Sequence, residues 1–117
     1  MKSSMYEGLF KALKKENVKA CVVSSMRGAP IAWYGIERKK IDVFSALSAA
    51  MYGASTVLHK ENGLPSPELV VSSSKDSFLI VKGIDSGTIL AAVGEGNRDE
   101  MSKTMDKLIK EFRGVGL

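Results

Sequence analysis

Apolar residues recur along this chain with two alternating periods, and the switches between them mark out the elements. Tyr6, Leu9, Phe10 and Leu13 fall at helical spacing with Lys11, Lys14 and Lys15 on the other sides. The pattern predicts an amphipathic helix that opens at Ser4 and ends near Asn17, with Ser4 and Glu7 three residues apart as a capping box. Residues 18–26 then read as a strand rich in β-branched side chains, with Val18, Ala20 and Val22 on one face and Cys21 and Val23 on the other. Apolar groups on both faces imply a central strand covered from above and below. Arg27-Gly28-Ala29-Pro30 turns the chain into a short strand at 31–34, and a basic link at 36–40 follows.

The stretch 42–61, DVFSALSAAMYGASTVLHKE, has helical spacing but no Asp, Glu, Lys or Arg between Asp42 and His59. An exposed helix normally shows a charged stripe, so this one is expected to be covered on more than one side. At about 100° per residue it sorts into three faces. Val43, Phe44, Leu47, Met51, Ala54 and Leu58 make a largely bulky apolar face, expected to lie on a sheet. Ala46, Ala49, Ala50, Gly53 and Val57 make a small-residue face that a second backbone could approach. Ser45, Ser48, Tyr52, Ser55, Thr56 and His59 make a polar, uncharged face, expected to be a surface that a partner covers at times.

Glu61-Asn62-Gly63 stops this helix, with Gly63 suited to the left-handed closing position. Pro65 and Pro67 lead into a strand at 68–73, placed at a sheet edge because proline cannot donate to a ladder. Turns at Lys75-Asp76 and Asp85-Ser86-Gly87 separate two nearly continuous apolar strands, 78–82 and 88–93, which belong inside the sheet. A last helix opens at Asn97 with acids first and bases later, as the helix dipole favours. Met101, Met105, Leu108, Ile109 and Phe112 form its stripe, and Gly114 and Gly116 are expected to end it. The sum is an α+β, three-layer α/β/α domain over 1–117. Its five-stranded antiparallel sheet has order 2-1-5-4-3, with the long helix on one face and the two terminal helices on the other.

Composition adjusts this picture only slightly. With 117 residues and 44% hydrophobic content the chain suits one domain with a substantial core. No stretch reads as the roughly 20 apolar residues that span a bilayer, and the lysine-rich start does not read as a signal peptide, so a cytoplasmic location is expected. The lone Cys21 is expected to be a buried thiol. The net charge of +4 comes from lysines spread along helices, which reads as solvated faces and not as a nucleic-acid site. Catalytic groups are sparse. His59 is the only histidine, at a helix end, and neither a Cys pair nor a carboxylate cluster at metal spacing is present. Gly94-Glu95-Gly96 lies between a strand and a helix but lacks the third glycine of a dinucleotide loop, Asp99 standing in its place.

The segments VKACVVSSMRGAPIA, FSALSAAMYGASTVLHKENG and FLIVKGIDSGTILAAVGEG together resemble the Roadblock family, the dynein light chain superfamily that includes prokaryotic regulators of Ras-like GTPases. The resemblance spans nearly the whole chain and implies a profilin-like fold, while the sparse chemistry leads to the expectation of no cofactor, no metal and no enzymatic activity. It also implies a homodimer in which third strands pair edge to edge and central helices lie side by side. The interface would then be Ala46, Ala49, Ala50, Gly53 and Val57 with Leu69, Val70, Val71, Ser72 and Ser73. The implied function is a non-catalytic adaptor that binds a small GTPase or scaffolds a protein assembly, with the polar face of the central helix as partner-binding strip. Arg27 and Arg38 are loop arginines that could reach a γ-phosphate, though exposed salt contacts explain them as well. Two other readings stand beside it: a small-ligand sensor of profilin-like architecture, and a basic module on nucleic acid or anionic membrane.

Overall fold

The computed structural model describes residues 5–116, with side chains from 5 to 113. Helix α1 (Glu7–Lys15) is followed by strands β1 (Val18–Ser25) and β2 (Pro30–Tyr34). A 3-10 turn (Arg38–Lys40) runs directly into α2 (Ile41–Glu61). Strands β3 (Leu69–Ser73), β4 (Ser77–Gly83) and β5 (Thr88–Glu95) and helix α3 (Arg98–Gly116) complete the chain. All neighbouring strands are antiparallel, in the order β2-β1-β5-β4-β3. This is the order that the apolar content of the strands predicts. The expected cap at Ser4 lies outside the described residues, and the last helix runs through Gly114 to Gly116 instead of stopping at the first glycine.

Each face of the sheet has its own core. Leu9, Phe10 and Leu13 of α1 and Met101, Met105 and Ile109 of α3 bury themselves on one face with Val18, Cys21, Val23, Ile80 and Leu90. Val22, Val81, Ile89 and Ala91 meet Ile41 and Ala49 of α2 on the other. Val18 therefore shares a face with Cys21 and Val23, not with Ala20 and Val22 as strict alternation predicts. The cause is a bulge. Val18 pairs with Gly94 and Ala20 with Val93, leaving Lys19 as an extra residue that shifts the phase by one. Gly94 makes that crowded corner possible, because a Cβ there would lie 2.8 Å from Phe78 Cζ and 2.9 Å from the Asn17 carbonyl oxygen. Asn17 itself turns α1 into β1 with φ 66, a left-handed conformation that asparagine tolerates better than most residues.

Two helix ends follow the expected chemistry, whereas the starts of α1 and α2 carry no side-chain cap among the described residues. At the end of α2 the Leu64 amide donates to the His59 carbonyl and the Gly63 amide to that of Lys60, the two bonds of a Schellman closure, with Gly63 at φ 69. At the start of α3, Asn97 Oδ1 accepts from the amides of Asp99 and Glu100. Among the described residues one charged side chain is buried. Lys82 of β4 is 6% exposed and faces Asp106 of α3, whose carboxylate lies 3.4 Å away and also meets Lys110 at 3.1 Å. The two lysines, Lys110 foremost, hold the Asp106 carboxyl below its usual range.

The orientation of α2 departs in part from the expectation from its faces. Ile41, Ser45, Ser48 and Ala49 are the buried positions, with Phe44 and Tyr52 half-buried beside them. Val43, Leu47, Val57 and Leu58 stand outward, each between 57% and 64% exposed. The inner face mixes Ile41, Phe44 and Tyr52 with Ser45, Ser48 and Ala49, and the helix backbone passes close to the β1–β2 hairpin. A Cβ at Gly28 would come within 2.9 Å of the Ala46 Cα. The polar groups brought inside are satisfied: Ser45 Oγ donates to Ser24 Oγ at 2.8 Å, and Ser24 Oγ donates to the Ser25 carbonyl at 2.8 Å. Contrary to expectation, the run Arg38–Glu61 is long and apolar enough, by length and composition, to cross a bilayer. Here it lies along the sheet, and its apolarity is displayed on the outer face.

Candidate functional site

The outward face of α2 is built by helical spacing alone. Val43, Ala46, Leu47, Ala50, Ala54, Val57 and Leu58 project away from the sheet, none of them charged. Gly53 lies at the margin of this stripe, and a Cβ there would meet nothing within 4 Å. Exposed apolar stripes of this length on a helix mark interaction surfaces. Beside it, β3 has β4 as its sole partner in the sheet among the described residues. Its Leu69 and Val70 are half-buried, Val70 packing under α2, and Val71, Ser72 and Ser73 are exposed. The strand's free side presents unpaired amides and carbonyls. Tyr52 ties the two elements together, its hydroxyl 3.4 Å from the Pro67 carbonyl at the approach to β3.

Sequence-expected positions divide sharply here. Ala46, Ala50, Gly53 and Val57 are exposed, as a contact between helices requires, whereas Ala49 is 8% exposed and belongs to the core under α2. The polar strip is the larger correction. Ser45 and Ser48 are 0% and 2% exposed and face the sheet, so neither is available to a partner. Tyr52, Ser55, Thr56 and His59 are half-buried. Thr56 Oγ1 donates to the Tyr52 carbonyl, and His59 Nδ1 lies 2.8 Å from the Ser55 carbonyl. Thr56 and His59 thus bond back to their own helix, and Tyr52 packs against the core under α2. Val43, Leu47 and Leu58 belong to the outer surface, which sequence reasoning assigned to the core. The usable signal was the absence of charge on the apolar face as well as on the small one.

Removing the inner hydroxyl tests this orientation. Ser45→Ala is expected to cost about 1 kcal/mol, because it withdraws the hydrogen bond to a fully buried Ser24. With Ser24→Ala as well, the loss should be smaller than the sum of the two single losses. Denaturant melts of the three variants check both points, and a neutral Ser45→Ala would contradict the inward rotation.

The remaining candidates for chemistry are occupied or isolated. Glu95 pairs with Lys19 at 2.6 Å, and the first-turn amides of α3 that would cradle a phosphate already bond to Asn97. Burial pushes the Cys21 thiol far above its usual range, which leaves it unreactive at neutral pH. Arg27 on the hairpin turn and Arg38 in the 3-10 turn are both exposed. Among the described residues, no three His, Cys, Asp or Glu side chains are placed to hold a metal ion.

No protein-family model matches the chain, and no curated protein matches its sequence. Solved structures do match its fold. A Roadblock/LC7 domain from Streptomyces avermitilis superposes with a TM-score of 0.74 at 21% identity, covering 85% of each chain. The gliding protein MglB from Thermus thermophilus reaches 0.77 at 15% identity, covering 96% of this chain and 90% of that one, as does an MglB in a tetrameric arrangement. Profilin II from Acanthamoeba castellanii reaches 0.63 at 15% identity, covering 90% and 92%. The chain thus has the fold of the Roadblock/LC7 domains, a variant of the profilin-like sheet with helices on both faces.

Proposed function

We propose that this chain is a non-catalytic, cytoplasmic adaptor that pairs with a second copy of itself and, as a pair, binds a small Ras-like GTPase or scaffolds a protein assembly. The observation that carries the reading is the uncharged outer face of α2 beside the open edge of β3. Covering Val43, Leu47, Val57 and Leu58 would contribute on the order of 1–2 kcal/mol each. Association itself costs roughly 4–15 kcal/mol, so the helix face alone is marginal and pairing of the β3 edges completes the interface. A two-fold arrangement brings both elements to their own copies at once. Self-association of MglB, seen in its tetrameric arrangement, supports the same habit in a protein of this fold.

The GTPase half of the reading follows from the family resemblance, and capture from the source cell tests it. The tagged chain is expected to retain a Ras-like GTPase, with retention that depends on whether GTP or GDP is supplied. A captured set without any GTPase in either nucleotide would leave only the scaffold. The purified chain alone is expected to hydrolyse no GTP, since it has no glycine-rich loop with a lysine and hydroxyl behind it.

A further inference from the structure

The sheet has a second open edge, at the end opposite β3. Among the described residues strand β2 pairs with β1 alone, and its outer side is the floor of a groove against α1, lined by Phe10, Lys11, Lys14, Ala32, Trp33 and Tyr34. The two ends of this edge are closed to long strand pairing. Pro30 lacks an amide donor, the register slips between Val23 and Ser24, and Gly35 turns the chain away with φ 74. What stays open is a short run, 31–34, that suits one brief extended segment and not an endless sheet.

The wall of the groove is basic. Lys11 and Lys14 have no carboxylate partner among the described residues. Lys14 is held with its ammonium 4.8 Å from the Tyr34 ring centre, an arrangement that fixes the charge above the strand. Tyr34 is anchored in turn by its hydroxyl, which donates to the Val18 carbonyl at 2.8 Å. Glu7 is the one acid lining the groove. Just past the strand, Glu37 is shared by Lys39 and Lys40 at 3.7 and 3.6 Å, leaving Arg38 a further unpaired cation among the described residues.

We propose that the β2 edge is a docking site for an extended acidic peptide segment of another protein, added as a sixth strand with its carboxylates toward Lys11 and Lys14. Backbone hydrogen bonds to β2 supply the alignment, and the lysine wall selects for acidic side chains. The site does not depend on the paired assembly proposed above, because it uses the far edge of the sheet. In a pair it would occur twice, once at each end, and so would gather two client segments.

The probe is a blocked nine-residue peptide of alternating glutamate and valine, followed by the fluorescence of Trp33, the only tryptophan, and by backbone amide shifts. Expected is saturable binding, with shifts confined to β2, α1 and the 3-10 turn. Two control peptides should each bind at least tenfold more weakly: one with lysine for glutamate, and one with proline for alternate valines, which removes the strand's donors. Lys11→Gln with Lys14→Gln should weaken the acidic peptide by a similar factor in a fully folded chain, whereas Gly53→Arg should leave it unchanged. Absence of saturable binding, equal binding of either control peptide, indifference to the lysine pair, or shifts on α2 and β3 would each overturn the proposal.

Discussion

Gly53→Arg should give a folded monomer. The position lies at the margin of the outer face of α2, and a side chain added there meets nothing in its own domain within 4 Å. Within the single chain the change is favourable, since glycine in a helix interior is about 1 kcal/mol worse than the best helix formers and arginine is close to them. Between two chains it is unfavourable, because helix axes in contact lie about 8–10 Å apart and leave no room for two guanidinium groups in an apolar seam. Sedimentation velocity at about ten micromolar, chosen as an order of magnitude below which weak dimers dissociate, should show the mass halved. Helical content by circular dichroism should be retained or slightly raised. A wild-type chain that already sediments as a monomer would remove the basis of the proposed pairing, and a variant that stays dimeric would move the interface off α2.

The largest loss of stability is expected at Gly35, where β2 leaves the sheet. Its φ of 74 lies in the left-handed region, and a Cβ would run into the Lys19 carbonyl and come within 2.9 Å of the Ala20 Cα. Left-handed backbone costs an L-residue roughly 1–2 kcal/mol, and the clash with main-chain atoms adds a shift of the bulged corner of β1. Gly35→Ala should therefore cost about 3–5 kcal/mol. Gly63→Ala is the matched control. Its φ is 69 but the space around it is open, so only the conformational part, about 1–2 kcal/mol, should appear. Thermal melts of the two variants should separate clearly, at roughly 3–6 °C per kcal/mol for a domain of this size. Equal melting temperatures would mean that the contact between Gly35 and the Lys19 bulge is not what fixes this corner.

Strand order was legible from the sequence because it depends on composition: strands with apolar residues on both faces sit inside, and the proline-flanked strand sits at an edge. The closures at Asn97 and Gly63 were legible because each is a local hydrogen-bond requirement. Two features were hidden. The phase of Val18 depends on the Lys19 bulge, which exists only through pairing with a strand far along the chain. The rotation of α2 depends on which of two apolar faces packs better, and size was a poor guide. Val43, Leu47 and Leu58 are left outside, and a serine fits beneath the helix because Ser24 Oγ accepts a hydrogen bond from Ser45. The interface residues Ala46, Gly53 and Val57 are exposed as the proposed pairing needs, whereas the serines proposed for a partner are enclosed.

The centre of the sheet also sets the order in which a growing chain can finish folding. Strand β1 binds β2 after a turn of a few residues, but its other side waits for β5, with Val18 opposite Gly94 and Ser25 opposite Thr88. Translation at about 5–20 residues per second puts roughly 4–14 s between the appearance of β1 and of β5. During that interval a strand whose Val22 and Val23 are fully buried in the finished domain has an unsatisfied edge. Ribosome stalling within the β3–β4 region would prolong that exposure. Truncation before Thr88 would therefore leave a chain with its two best strands unable to meet, rather than a smaller stable domain.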